Sequence, residues 1–168
     1  HIILPPVHNI LFDEAHVIKD TIRDFFQYSV TQKGLGKIVK FLERLYPDVA
    51  DGLRRSAGTF FSFLYNWLGG YNNRLIYEIK KDYFREKHED LRKHLVVAET
   101  LIEHQIKSYI AAFGERRETR SLLNAKKIAK QVENSLQLLS KVETLISGEE
   151  GALIRSNLTA WVSYENKN

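Results

Sequence analysis

The stretch DLRKHLVVAETLIEHQIKSYIAAF, residues 90–113, decides the fold of this chain. Its apolar residues recur at steps of four and three, which is the spacing of a coiled-coil seam. The members of this first seam are Leu91, Leu95, Ala98, Ile102, Ile106, Tyr109 and Phe113. We therefore predict a long amphipathic helix over this stretch.

A second seam of the same kind lies between Ser121 and Ile146. Its members are Leu122, Ala125, Ala129, Val132, Leu136 and Leu139. Only the short polar stretch GERRETR separates the two seams, so the helices should fold back on each other as an antiparallel hairpin. At a rise of 1.5 Å per residue, each helix should be about 35 to 40 Å long.

Further helices are predicted before the hairpin. Helical spacing begins at Val17 and breaks near Gly34, and a second helix is expected from about Leu35 to Tyr46, with Pro47 as its stop. Its apolar face carries Ile38, Leu42 and Leu45. The segment DGLRRSAGTFFSFLYNWLGG, residues 51–70, predicts the most buried helix, ending at the glycine pair. The face of that helix carries Leu53, Ala57, Phe60, Leu64 and Trp67.

Both ends of the chain predict strands instead. IILPP and VHNILF near the start suit extended segments, because the proline pair cannot continue a helix and the apolar run is unbroken. LTAWVSYEN, residues 158–166, alternates as a strand does. The chain should thus leave a sheet, make a long helical excursion and return, which is typical of an insertion.

Composition sets the broad class of protein. The chain has 168 residues, of which 43% are hydrophobic and 27% charged, as in a soluble globular domain. No apolar run approaches the roughly 20 residues of a membrane span, and no signal peptide is recognisable, so a cytoplasmic location without membrane contact is expected. The absence of cysteine excludes disulfides, thiolate zinc sites and a cysteine-ligated iron–sulfur cluster within this stretch. A net charge of +4 is too small to identify an acidic partner by itself.

The stretch NILFDEAH, residues 9–16, places two adjacent carboxylates at the end of an apolar run. Open α/β sheets carry their ligand-binding groups at the carboxyl ends of buried strands. In NTP-driven motors one such carboxylate holds the Mg²⁺ that bridges two phosphates, and its neighbour orients or deprotonates the attacking water. We therefore predict Asp13 as a metal ligand and Glu14 as the catalytic base, with His16 linking the nucleotide state to movement. The alternative is that both acids only favour the N-terminus of the next helix.

The longer string ILFDEAHVIKD, residues 10–20, resembles motif II of the DinG/XPD branch of superfamily 2 DNA helicases. In that family a helical insertion, the arch domain, follows motif II, and the chain then returns to the motor core by a strand. The resemblance implies a mainly α fold flanked by short strands of a RecA-like α/β motor domain. Residues 1–16 would end the first motor domain, 17–152 would form the arch, and 153–168 would return to the core.

The same resemblance implies an activity and its requirements. The parent protein would use ATP and Mg²⁺ to translocate 5′ to 3′ on single-stranded DNA, with that DNA and the rest of the motor as partners. An iron–sulfur cluster fits the parent but not this segment. No G-x-x-x-x-G-K-[ST] loop is present, and KGLGKIVK, residues 33–40, is expected to be only a loop that opens a helix. We therefore expect a segment of a helicase that is inactive alone.

Side chains on the arch would help to hold or gate the strand. The predicted DNA-binding cluster lies at the hairpin tip and consists of Arg116, Arg117, Arg120, Lys126, Lys127 and Lys130. The alternative is a solvated charged face. A group of aromatic residues, Phe60, Phe61, Phe63, Tyr65 and Trp67, is expected mainly to pack in the core. His88, Glu89 and His94 do not match the His-Glu-x-x-His zinc motif, because six residues turn the second histidine to another face.

Two hypotheses of different classes follow. The first is the helicase segment described above. The second is a non-enzymatic helical module whose hairpin binds another protein, with the DEAH string coincidental. Salt-dependent binding of a single-stranded oligonucleotide separates them, since only the first predicts it.

Overall fold

The computed structural model describes residues 29–76, 79–114, 119–147 and 161–163. Within these ranges the chain forms four helices and one two-stranded antiparallel sheet. In chain order the elements are α1 (Gln32–Leu42), α2 (Pro47–Leu68), β1 (Asn73–Leu75), α3 (Lys81–Phe113), α4 (Arg120–Ser147) and β2 (Trp161–Ser163). The prediction of a mainly α fold is confirmed.

Helix α1 begins earlier than its sequence pattern predicts. The Thr31 side chain caps the helix, because its hydroxyl oxygen accepts a hydrogen bond of 2.9 Å from the backbone N–H of Gly34. The stretch 33–40, expected to be a loop opening a helix, therefore lies inside α1. The prediction was wrong here because a capping threonine outweighs the low helix propensity of two glycines.

Helix α2 follows α1 after a short turn. Pro47, predicted as the stop of the preceding helix, lies in the first turn of α2, where a proline needs no N–H donor. α1 has already ended at Leu42, and Leu45, predicted on its apolar face, is 47% exposed. The predicted end at the glycine pair is confirmed, since Gly69 has a left-handed φ of 59° that favours glycine.

Helices α3 and α4 form the predicted hairpin. α3 begins at Lys81, well before Asp90, and its 33 residues extend for about 50 Å at 1.5 Å per residue. The seam residues at the centre of the hairpin are fully buried: Leu91, Leu95, Ala98, Ile102, Ala125 and Val132. Towards the tip the first seam becomes accessible, and Phe113 is 51% exposed.

The other helices cover only part of the hairpin. α2 runs antiparallel to α3, since Gly52 lies against His94 while Phe60 contacts the ring of Phe84 at 5.9 Å between centroids. α1 packs against α2 and α4. The shared hydrophobic core reaches Ile106 in α3 and Ile128 in α4. Residues 107–113 and 120–127 extend beyond that core, and we call them the arm.

A short two-stranded ribbon joins the chain segment before α3 to the segment after α4. Strand β2 pairs antiparallel with β1, and Val162 lies opposite Arg74. A strand within residues 158–166 was predicted, but its partner β1 was not. The predicted strands IILPP and VHNILF and the helix from Val17 lie outside the described residues, so the RecA-like sheet stays a prediction. In the part of the chain that the structure describes, no helix is long and apolar enough to cross a membrane.

Candidate nucleic-acid interface at the hairpin tip

The predicted site residues fall into two groups. Asp13, Glu14 and His16 lie outside the described residues, as do Arg116 and Arg117. The other four members of the predicted cluster lie on α4 and are exposed: Arg120, Lys126, Lys127 and Lys130. The geometry of the candidate site therefore rests on these four.

Arg120 and Lys127 share one face of α4, because seven residues make nearly two turns. Leu123 and Asn124 lie between them, and with Ser121 these residues line an open depression. The apolar residues that face α3, Leu122 and Ala125, lie on the other side of the helix and are buried. We call Arg120, Leu123, Asn124 and Lys127 the tip face.

The four cations of α4 differ in their surroundings. Lys130 forms an ion pair of 2.9 Å with Glu133, which offsets its charge. Lys126 lies one turn before Lys130, on the same side of α4. Among the described residues no carboxylate pairs with Arg120 or Lys127, so their charges are available to an anionic ligand. Of the four described members of the predicted cluster, Arg120 and Lys127 thus carry their charges on the tip face.

Three acidic residues of the hairpin, Glu99 and Glu103 in α3 and Glu133 in α4, interact electrostatically. Burial, and then the carboxylates of Glu103 and Glu133, raise the pKa of Glu99 above its ordinary value. The charge of Glu133 is offset by its ion pair with Lys130. We call these three residues the acidic cluster.

The aromatic group of α2 packs as predicted. Phe60 is buried, while Phe61, Phe63 and Trp67 are half-buried against the core. Tyr65 is the exposed member, at 58%. The α2 aromatics therefore mainly stabilise the packing of α2.

Two exposed apolar residues of the arm were missed by sequence reasoning. Phe113 was placed in the buried seam, yet it is the last residue of α3 and Gly114 turns the chain away with a φ of 75°. Leu123 is 48% exposed on the tip face. The signals were present in the sequence, because Phe113 directly precedes a glycine and Leu123 is a leucine outside the seam positions.

The two histidines of α3 have separate structural roles. His88 is fully buried, and its Nε2–H donates a hydrogen bond of 2.9 Å to the carbonyl oxygen of Leu139. His94 donates from Nδ1 to the backbone oxygen of Asp90 at 2.9 Å, and its ring lies against Gly52. Nowhere in residues 29–76, 79–114, 119–147 and 161–163 do three His, Asp or Glu side chains come together as a metal site.

Comparisons with protein-family models, curated proteins and solved structures find no match for this chain. The function of this chain is therefore inferred from the string ILFDEAHVIKD, residues 10–20, and from the geometry of the tip face.

Proposed function

We propose that this chain is the motif II and arch segment of an ATP-dependent DNA helicase of the DinG/XPD type. The proposal rests on the order in which a sequence motif, a helical hairpin and a strand follow each other along the chain. The string ILFDEAHVIKD is followed by a helical excursion that contains a long projecting hairpin, and the chain then enters a strand. In the family that it resembles, motif II, the arch and the return strand occur in this order.

The chemistry of motif II assigns roles to three residues. The Asp13 carboxylate would bind Mg²⁺, for which oxygen donors are the preferred ligands. Glu14 would accept a proton from the attacking water, and His16 would contact the motor elements that move with the nucleotide state. Bound Mg²⁺ would neutralise charge on the phosphates of ATP. The phosphate-binding loop that this chemistry also needs must come from another part of the parent protein.

The arm supplies the contact with DNA in this proposal. Arg120 and Lys127 have no described acidic partner, whereas Glu99 and Glu103 would repel a phosphate backbone. A single strand would therefore lie along the tip face rather than in the groove between α3 and α4. The arch would hold the strand beside the motor while ATP hydrolysis drives movement.

The experiment is a fluorescence anisotropy titration of the full 168-residue chain with a labelled oligo-dT strand at several salt concentrations. Binding should weaken as salt rises, because each phosphate contact releases counterions. The double variant Arg120→Gln/Lys127→Gln should bind less tightly and reduce the log–log salt slope by about 1.4, since each contact to a single strand contributes about 0.7.

A matched control removes the same charge from another part of the molecule. Arg92 and Lys93 are exposed on α3, away from the tip. Arg92→Gln/Lys93→Gln should leave the salt slope close to that of the wild type. If the control variant lowers the slope as much as the tip variant does, the strand does not lie on the tip face.

A second candidate function is a non-enzymatic module that binds another protein. Val96 and Val97 favour it, because these adjacent residues of α3 are 44% and 47% exposed. This hypothesis predicts no salt-dependent binding of oligo-dT by the wild-type chain. The same titration therefore separates the two functions.

A further inference from the structure

Two large apolar side chains are exposed at the tip of the hairpin. Phe113 is 51% exposed and Leu123 is 48% exposed. The preceding seam residue of α3 and the adjacent seam residue of α4 are covered, since Tyr109 is half-buried and Leu122 is only 2% exposed. The contact between α3 and α4 thus leaves these two side chains uncovered.

Both residues lie at the same end of the hairpin. Phe113 ends α3, and Leu123 lies in the first turn of α4. Leu123 also lies one turn after Arg120 and one turn before Lys127 on the same face of the helix. The tip therefore combines an aromatic ring, an aliphatic side chain and two cations without described acidic partners.

This combination discriminates between forms of nucleic acid. A surface that contacts only phosphates needs only positive charge and does not prefer a single strand, because a duplex has the higher charge density. An exposed ring adds a contact to the flat face of a base, which is available in a single strand but is stacked inside a duplex. Cations beside stacking side chains are the usual composition of surfaces that bind a single strand without sequence preference.

We propose that the hairpin tip selects unpaired nucleic acid, with Phe113 and Leu123 contacting a base while Arg120 and Lys127 contact the neighbouring phosphates. This inference deepens the proposed function and rests on its assignment of DNA to the arm. It adds that bases, as well as phosphates, determine binding at the tip. It also predicts that sequence has little effect, because every base has a face that can stack.

The test compares three probes with equal labels and equal numbers of phosphates on the bound strand: oligo-dT, an abasic strand and a duplex. The wild-type chain should bind oligo-dT about fivefold or more tightly than the abasic strand, since stacking on an aromatic side chain contributes at least that factor. Phe113→Ala should reduce the affinity for oligo-dT to that for the abasic strand, with the salt slope unchanged. Phe113→Trp should retain the preference for oligo-dT.

A matched control variant is available on the same helix. Tyr83 is an exposed aromatic residue, at 65%, near the opposite end of α3. Tyr83→Ala should leave the affinities for all three probes unchanged. Because Tyr83 and Phe113 are both exposed, both variants should keep the wild-type circular dichroism spectrum and thermal midpoint.

The outcomes distinguish this inference from the proposed function. If the wild-type chain binds oligo-dT and the abasic strand equally, with a salt slope that depends on Arg120 and Lys127, the base contact is overturned and the proposed strand contact stands. Equal binding of duplex and single strand also overturns it. If no probe binds, or if polyglutamate competes as well as oligo-dT, the nucleic-acid assignment of the tip fails as well.

Discussion

The Nε2 atom of His88 and the carbonyl oxygen of Leu139 lie 2.9 Å apart, across the interface of α3 and α4. His88 is completely buried, and its ring packs on that of Phe84 at 5.3 Å between centroids. The bond satisfies Nε2 of the buried imidazole, whereas Nδ1 has no hydrogen-bond partner among the described residues. This hydrogen bond therefore joins α3 to α4 towards the end of the hairpin that is opposite the arm.

Replacing His88 should destabilise the fold. His88→Ala removes the hydrogen bond and leaves a cavity, so we expect the free energy of unfolding to fall by about 2 to 4 kcal/mol. His104→Ala, at an exposed position of the same helix, should change it by less than about 0.5 kcal/mol. Urea unfolding followed by circular dichroism measures both. Equal effects of the two substitutions would show that the bond to Leu139 does not stabilise the hairpin.

Replacement by alanine should change the stability of the protein differently at two glycines of α2. An added Cβ at Gly58 meets no atom within 4 Å, so Gly58→Ala should stabilise the protein by about 1 kcal/mol through helix propensity. At Gly52 the same atom would lie 2.8 Å from Cδ2 of His94, and the gain should be lost. In a His94→Ala background, Gly52→Ala should recover it. Thermal unfolding of this double-mutant cycle tests the crossing of α2 and α3, and a full gain from Gly52→Ala alone would contradict it.

Arg74 should hold the short ribbon in place. Its guanidinium lies 4.5 Å from the centre of the Trp67 ring and 5.6 Å from that of Tyr71, and it donates a 2.9 Å hydrogen bond to the Trp67 carbonyl. A two-stranded ribbon is marginal alone, so Arg74→Ala should speed amide hydrogen exchange in β1 by a factor that corresponds to about 1 kcal/mol. Arg74→Lys should restore only part of the protection, because an ammonium group cannot stack as a planar guanidinium does. If amide hydrogen exchange in β1 is unchanged in Arg74→Ala, Arg74 does not stabilise the ribbon.

The acidic cluster should make stability depend on pH in a defined direction. Since the pKa of Glu99 is raised in the folded state, the folded protein binds more protons than the unfolded chain between the ordinary and the raised value. The contribution of Glu99 to stability should therefore be lost as the pH rises through this window. Glu99→Gln should raise the unfolding midpoint at pH 7 and have little effect below the ordinary carboxyl pKa. If Glu99→Gln lowers the midpoint at pH 7, the Glu99 carboxylate forms a favourable interaction, and burial and repulsion do not dominate its surroundings.

Periodicity alone predicts much of this fold. The two seams, with Leu91 and Leu95 in α3 and Val132 in α4, predict the hairpin, because apolar residues recur on one face of each helix and these faces can cover each other. The end of α2 follows from a glycine pair. His88 and His94 also have different neighbours, as their spacing of six residues predicts.

Other features depend on contacts between distant parts of the chain. The pairing of Arg74 with Val162 joins residues separated by the entire hairpin, and three-residue strands carry too little pattern to predict. The exposure of Phe113 depends on where α1 and α2 stop covering the hairpin. The ion pair of Lys130 with Glu133 is local instead, because the two residues are three apart on one helix face and their spacing predicts it.

The most direct test of the helicase assignment is ATP hydrolysis by the product of the complete reading frame that encodes this chain. We predict hydrolysis that single-stranded DNA stimulates, and a loss of about a hundredfold or more in Glu14→Gln, because the catalytic base is removed while nucleotide binding is kept. Absence of hydrolysis in the wild type, or equal turnover in Glu14→Gln, would contradict the assignment and favour the protein-binding module.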